Sequence, residues 1–232
     1  MDVKSNSFIG PEQVAVIGMA IRAPGAKNIS EFWNNLKNGV ESVERYSREE
    51  LLAAGVQEST LKDPNFVNAG AVMPEADSFD ADFFGINVRE AEIMDPQHRV
   101  FIETAWEVLE DAGYPPENFS GLIGVFGGVA PNTYFQKNLA PRTELLESLG
   151  RYLVMLSSEK EYAVLRVAYK FNLRGPCLSV NTACSSSGVA VHLASQSLLS
   201  GECDLALAGG ARVFVPLNTG YRYEEGGIPS PD

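Results

Sequence analysis

The chain is poor in histidine, cysteine and basic charge. Its 232 residues hold two histidines, His98 and His192, and three cysteines, Cys177, Cys184 and Cys203. An odd number of cysteines with no CxxC pair fits neither a disulfide framework nor a zinc site, and no metal is expected. A reducing, cytoplasmic setting is the expectation. Lys and Arg number 18 against 30 Asp and Glu, a formal charge of −12. A sequence-independent nucleic-acid binder needs the opposite balance, so nucleic acid is not an expected partner. No run approaches the roughly 20 apolar residues that span a bilayer, so no membrane is expected either. Residues 1–12 read as a polar leader without the basic-then-apolar layout of a secretion signal.

What is present is an ordinary globular composition, 45% apolar and 21% charged, in a chain long enough to bury a core. Short apolar runs without alternation predict buried strands at residues 14–20, 122–127, 177–182 and 204–213. Ser30 is expected to cap a helix over 31–38 that stops at Gly39. Ser47 and Glu50 form a capping box for a second helix that Gly55 ends. Residues 56–82 read as loop. Asp95-Pro96 opens a long helix that Gly113 terminates. Residues 130–142 read as loop, and Ser158 with Glu161 predicts a capped helix over 159–171. Strands separated by helices indicate an α/β sheet covered on both faces.

The most informative segment is Asn181-Thr182-Ala183-Cys184-Ser185-Ser186-Ser187-Gly188. A strand delivers the chain to a turn where small residues surround a cysteine that opens a helix, expected to run to about Leu199. The first N–H groups of a helix lack internal partners and carry partial positive charge, which stabilises a thiolate, the reactive form of cysteine. Small neighbours leave room for a bulky thioester. On the residues alone a second reading stands beside this one: Cys184 as a small buried hydrophobe, as many cysteines are. Cys177 and Cys203 read as structural. Gly124-Val125-Phe126-Gly127-Gly128 lacks the spacing of a nucleotide loop. Arg142, Arg151, Arg166, Lys170 and Arg174 read as solvated helix faces.

Asn181-Thr182-Ala183-Cys184-Ser185-Ser186-Ser187 resembles the active-site signature of β-ketoacyl synthases from modular polyketide synthases. Other landmarks resemble that family in the same order: Ile17-Gly18-Met19-Ala20 with Pro24-Gly25, Phe32-Trp33, Phe83-Phe84-Gly85-Ile86, Met94-Asp95-Pro96-Gln97-His98-Arg99, Arg174-Gly175-Pro176 and Val189-Ala190-Val191-His192. The resemblance implies a thiolase-like fold, layered α/β/α with a mostly parallel mixed sheet. Residues 13–232 would be the amino-terminal half of the domain, the carboxy-terminal half being absent. It implies that Cys184 accepts an acyl chain from the phosphopantetheine arm of an acyl carrier protein, with no cofactor bound directly. A malonyl-type extender then loses carbon dioxide and condenses with that acyl group. The cysteine N–H would supply part of an oxyanion hole. A homodimer through the strand near 178–182 is implied as well. Asn181 and Gly188 depart from the residues many relatives carry, Asp and Leu.

Two histidines assist decarboxylation in that family, and neither His98 nor His192 matches them. His192 lies eight residues along the helix from Cys184, about 12 Å at 1.5 Å per residue, beyond reach of the thiol. His98 falls in a structural landmark. The chain is therefore expected to condense nothing alone and to need a complementary half. The alternative is a non-catalytic scaffold or split subunit that binds its complement.

Overall fold

The computed structural model describes residues 13–232, so the leader read at 1–12 lies outside the described residues. From the amino end come α1 (Ile29–Asn38), β1 (Glu44–Arg45), α2 (Arg48–Ala53), α3 (Glu58–Leu61), β2 (Phe66–Val67) and β3 (Ala69–Gly70). Then follow α4 (Val88–Ile93), α5 (Pro96–Ala112), β4 (Ile123–Val129), α6 (Thr143–Leu149), α7 (Arg151–Ser158) and α8 (Glu161–Lys170). The last elements are β5 (Cys177–Ser179), α9 (Ser186–Leu199), β6 (Leu205–Ala211) and β7 (Tyr221–Arg222).

The chain divides into two compact units. The first comprises residues 13–19, Phe101–Val129 and Lys160–Ala211. Its centre is β4, every residue of which is buried. That is why the run Ile-Gly-Val-Phe-Gly-Gly-Val shows no polar alternation: a strand covered on both faces has no solvent side. Both β5 and β6 pair with β4 in parallel, in the order β5-β4-β6. The register sets Val125 beside Cys177 on one side and Leu207 on the other. Helix α8 packs against β4 and β5, and α9 against β4 and β6. Phe126, Val180, Ala190 and Ala194 form the core between strand and helix.

The second unit comprises Ala20–Val100, Ala130–Glu159 and Arg212–Asp232. Its strands are two-residue antiparallel pairs, β1 with β3 and β2 with β7. Ala76, Val100 and Val213 form one buried cluster. The predicted capping box of α2 is present: Ser47 Oγ accepts from Glu50 N and the Glu50 carboxylate accepts from Ser47 N.

Several expectations are corrected. Residues 14–20 form no strand; they are extended chain, with Val16 79% exposed and Ile17 and Met19 also exposed. A strand needs a neighbour to complete its hydrogen bonds, and this segment lies in no ladder among the described residues. It is held instead by α5, where Met19 N donates to Asp111 Oδ2 at 2.9 Å. The cap of α1 is Asn28, not Ser30, because the Asn28 side chain accepts from Glu31 N. Residues 56–82 include α3, β2 and β3, and 130–142 contain a π-helical turn at Phe135–Leu139. Ser158 caps nothing: it ends α7 and donates its hydroxyl to the Val154 carbonyl.

Candidate functional site

The sheet delivers the chain to its candidate site through close backbone contact. Val180 N donates to Gly127 O at 2.7 Å, extending the pairing beyond β5. A side chain on Gly128 would overlap the Val180 carbonyl oxygen. Glycine there lets the strands close up and fixes where residue 181 leaves the sheet.

Three residues later the backbone reverses. Ala183 adopts φ +54°, a left-handed conformation that costs a residue with a Cβ roughly 1–2 kcal/mol. Cys184 sits in the 3-10 turn Ala183–Ser185, and α9 begins at Ser186. Hydroxyls hold this elbow. Ser186 Oγ accepts from Thr182 N at 2.9 Å and donates to Ala183 O at 2.8 Å. Ser185 Oγ donates to Thr182 O at 2.7 Å. Both side chains bond across the reversal, so the serines after the cysteine do more than leave room. The sequence reading missed that role, although Ser and Thr at a turn signal local side chain-to-backbone bonding.

The three thiols have different surroundings. Cys184 is exposed, Cys177 half-buried and Cys203 buried. Burial pushes the Cys177 thiol up from its ordinary value. Cys203 Sγ donates to Ser197 Oγ at 3.5 Å. The reading of Cys184 as a buried packing residue is therefore set aside. Its backbone N–H meets no acceptor among the described residues, so an exposed thiol and an unmatched donor belong to the same residue of one turn. Gly188 lies in α9 where an added Cβ would touch nothing described. Asn181 Nδ2 donates to Ser179 Oγ at 3.3 Å, a bond back along the strand.

Neither histidine belongs to the elbow 181–186. His192 is exposed, two turns along α9. His98 is wholly buried in the second unit at the start of α5. There Asp95 accepts from Gln97 N at 2.9 Å and Gln97 Nε2 at 3.0 Å. Burial pushes the Asp95 carboxyl up, opposed by those bonds and by Arg99. The cationic residues between 142 and 174 are divided between the units, and Arg142 is engaged by Glu92 at 2.8 Å. Among the described residues no cluster of His, Cys, Asp or Glu could hold a metal ion, and no helix is long and apolar enough to cross a membrane.

Residues 11–232 match the family model described as Beta-ketoacyl synthase, N-terminal domain. A phenolphthiocerol/phthiocerol polyketide synthase polypeptide of Mycobacterium tuberculosis is 47% identical over 223 residues, covering 94% of this chain and 15% of that protein. Polyketide synthase PksM of Bacillus subtilis is 40% identical over 242 residues, covering 99% of this chain and 5% of PksM. Among solved structures, ketosynthase twelve of the bacillaene polyketide synthase from Bacillus amyloliquefaciens superimposes with a TM-score of 0.83 at 35% identity. That match covers 96% of this chain and 38% of the ketosynthase chain. The chain thus spans well under half the length of each of these relatives.

Proposed function

The chain belongs to the β-ketoacyl synthase family of polyketide synthases and has that family's thiolase-like α/β fold, and on that premise we propose that Cys184 is its acyl-accepting nucleophile. The observation that carries this reading is the exposed thiol on a strained, hydroxyl-braced turn at the end of a parallel strand. The thiolate attacks the carbonyl carbon of a thioester carried on the phosphopantetheine arm of an acyl carrier protein. The Cys184 N–H, free of an internal acceptor, donates to the oxyanion of the tetrahedral intermediate. Collapse expels the pantetheine thiolate, which takes up a proton, and leaves the acyl group on sulfur.

Condensation needs more than this. Loss of carbon dioxide from an extender generates a carbanion, and groups that stabilise it must lie within hydrogen-bond reach of the thioester. His192 lies six residues past the first residue of α9, about 9 Å along its axis, with Cys184 in the turn before that helix, and His98 is enclosed at the start of α5. In the proposed division of labour, residues 13–232 act as an amino-terminal half that supplies the nucleophile, and a complementary carboxy-terminal half supplies the histidines. The exposed edge of β5, with Leu178 46% exposed, fits a homodimer contact. The exposed apolar side chains of residues 14–19 favour the alternative, a half whose role is to bind its complement without chemistry.

Labelling separates these readings. With an acyl thioester of N-acetylcysteamine, peptide mass spectrometry is expected to find the acyl group on Cys184, with Cys177 and Cys203 unmodified. Equal distribution over the three thiols would defeat the nucleophile assignment. Mixing with the complementary half then tests the division of labour: β-ketoacyl product that forms only in the mixture supports it, and a tight but inert complex supports the scaffold. Sedimentation of the mixture as two copies of each half supports the dimer, and a one-to-one complex rejects it.

A further inference from the structure

The second unit contains a cavity of about 650 Å³, within the range of small-molecule sites. It is lined entirely by residues of that unit, and no residue of the Cys184 elbow lines it. Its charge is the reverse of the chain's. Arg22, Lys137 and Arg212 line it, and no carboxylate does, although the whole chain carries −12. Glu75 accepts from Lys27 Nζ at 2.6 Å and also feels the Arg22 charge, so Arg22 is engaged within the unit and the cations left at the rim are Lys137 and Arg212. Lys137 and Arg212 are exposed, and the Arg212 guanidinium lies 4.3 Å from the centroid of the Phe214 ring. Such stacking fixes the orientation of the cation.

Deeper in, the lining changes. Met73, Val213, Val215 and Leu217 supply an apolar wall that continues into the buried cluster of Ala76 and Val100. Tyr46, only 6% exposed, also lines the cavity, and its hydroxyl has no hydrogen-bond partner among the described residues. Gly70 stands against it; a Cβ there would lie 2.7 Å from the oxygen. A buried hydroxyl without an acceptor is costly, roughly 1–3 kcal/mol, and an incoming acceptor relieves that cost. Burial, with the Glu44 and Glu50 carboxylates, pushes the phenol up, which keeps it a donor at neutral pH.

We propose that this cavity binds an amphiphilic oxyanion, with a carboxylate or phosphate head at the Lys137 and Arg212 rim. Its short apolar tail lies on the Met73–Leu217 wall and bears one oxygen that accepts from Tyr46. The site does not depend on the role of Cys184.

Isothermal titration of the 232-residue chain with octanoate, octyl phosphate, 4-oxooctanoate and 1-octanol tests this. At least one anion binds, and octanol binds at least about fivefold more weakly. Octanoate alone identifies a carboxylate ligand, octyl phosphate alone a phosphate ligand, and both the shared oxyanion. Lys137→Gln and Arg212→Gln each weaken the bound anion about three- to fivefold and leave octanol unchanged. Both positions are exposed, so the fold is retained. Tyr46→Phe abolishes the preference for 4-oxooctanoate over octanoate. Binding of octanol as tight as the anions, full affinity in the Lys137→Gln/Arg212→Gln double variant, or no binding by any probe would overturn the proposal.

Discussion

Two helix starts in this chain are built from similar local chemistry and serve opposite ends. At α5, Asp95 is buried and its carboxylate takes both Gln97 donors. Gln97 in turn bonds Ala130 O at 3.1 Å and accepts from Ala130 N at 3.0 Å, and Asp95 N reaches Ser157 O at 2.8 Å. Each of these groups is matched by another group of the same unit. At α9 most of the polar groups are exposed, and serine hydroxyls folded back on their own backbone brace the turn beside its own short backbone bonds. Cys184 is left exposed, and its N–H meets no acceptor among the described residues. Burial turns the first start into a fastening; the second is left exposed, as the role proposed for Cys184 requires.

The sharpest way to break this contrast is at the fastening. Asp95→Ala removes an acceptor from two buried Gln97 donors, and urea denaturation should show a loss of about 3 kcal/mol. Unchanged stability would mean that the Asp95–Gln97 network is slack. Asp95 also has a signature in pH. Its folded pKa is raised, so the folded state holds the proton more strongly than the unfolded chain. Its contribution is therefore most favourable in acid and is lost as pH rises from the ordinary Asp value, about 3.9, through the raised folded value. Measured against Asp95→Ser, which keeps a cap oxygen without a charge, the wild type should lose ground over that window. A flat difference would show that Asp95 carries no such shift.

Ser186→Ala should have a middling effect. It removes two bonds across an exposed elbow, so about 1 kcal/mol is expected. The more telling readout is acylation of Cys184, which should slow more than labelling of the unfolded chain, with Ser186→Thr restoring the rate. Cys184→Ser should have the smallest effect on stability, within about 0.5 kcal/mol, because the thiol packs against little. It should nonetheless abolish acyl transfer. A large destabilisation there would place the cysteine on the structural side of the comparison.

How legible these features were in sequence depended on whether the cause was local. Asp95-Pro96 and Ser47 with Glu50 announced their helices because capping bonds reach only a few residues. Residues 14–20 and β4 read alike, as short apolar runs, yet only β4 has strands on both sides. Pairing is a property of the neighbours, and no local pattern supplies them. The Cys184 turn was visible through the small residues and the helix that follows, and the family signature sharpened it. The positive φ of Ala183 was hidden, because alanine does not advertise a left-handed turn. The Tyr46 cavity was hidden for a different reason: its rim is drawn from residues as far apart as Arg22 and Arg212.

The glycines of the sheet bear on how this scaffold can be varied. Gly127 abuts the Phe101 ring, Gly128 the Val180 carbonyl, and a Cβ on Gly210 would sit 3.1 Å from Gly128 O. A side chain at Gly128 would displace the Val180 backbone that leads to the Cys184 turn, while one at Gly127 or Gly210 would press on the Phe101 ring or on the Gly128 carbonyl of β4. Under the role proposed for Cys184, variation in the acyl chain accepted falls to loops and neighbouring segments and not to these strand tips.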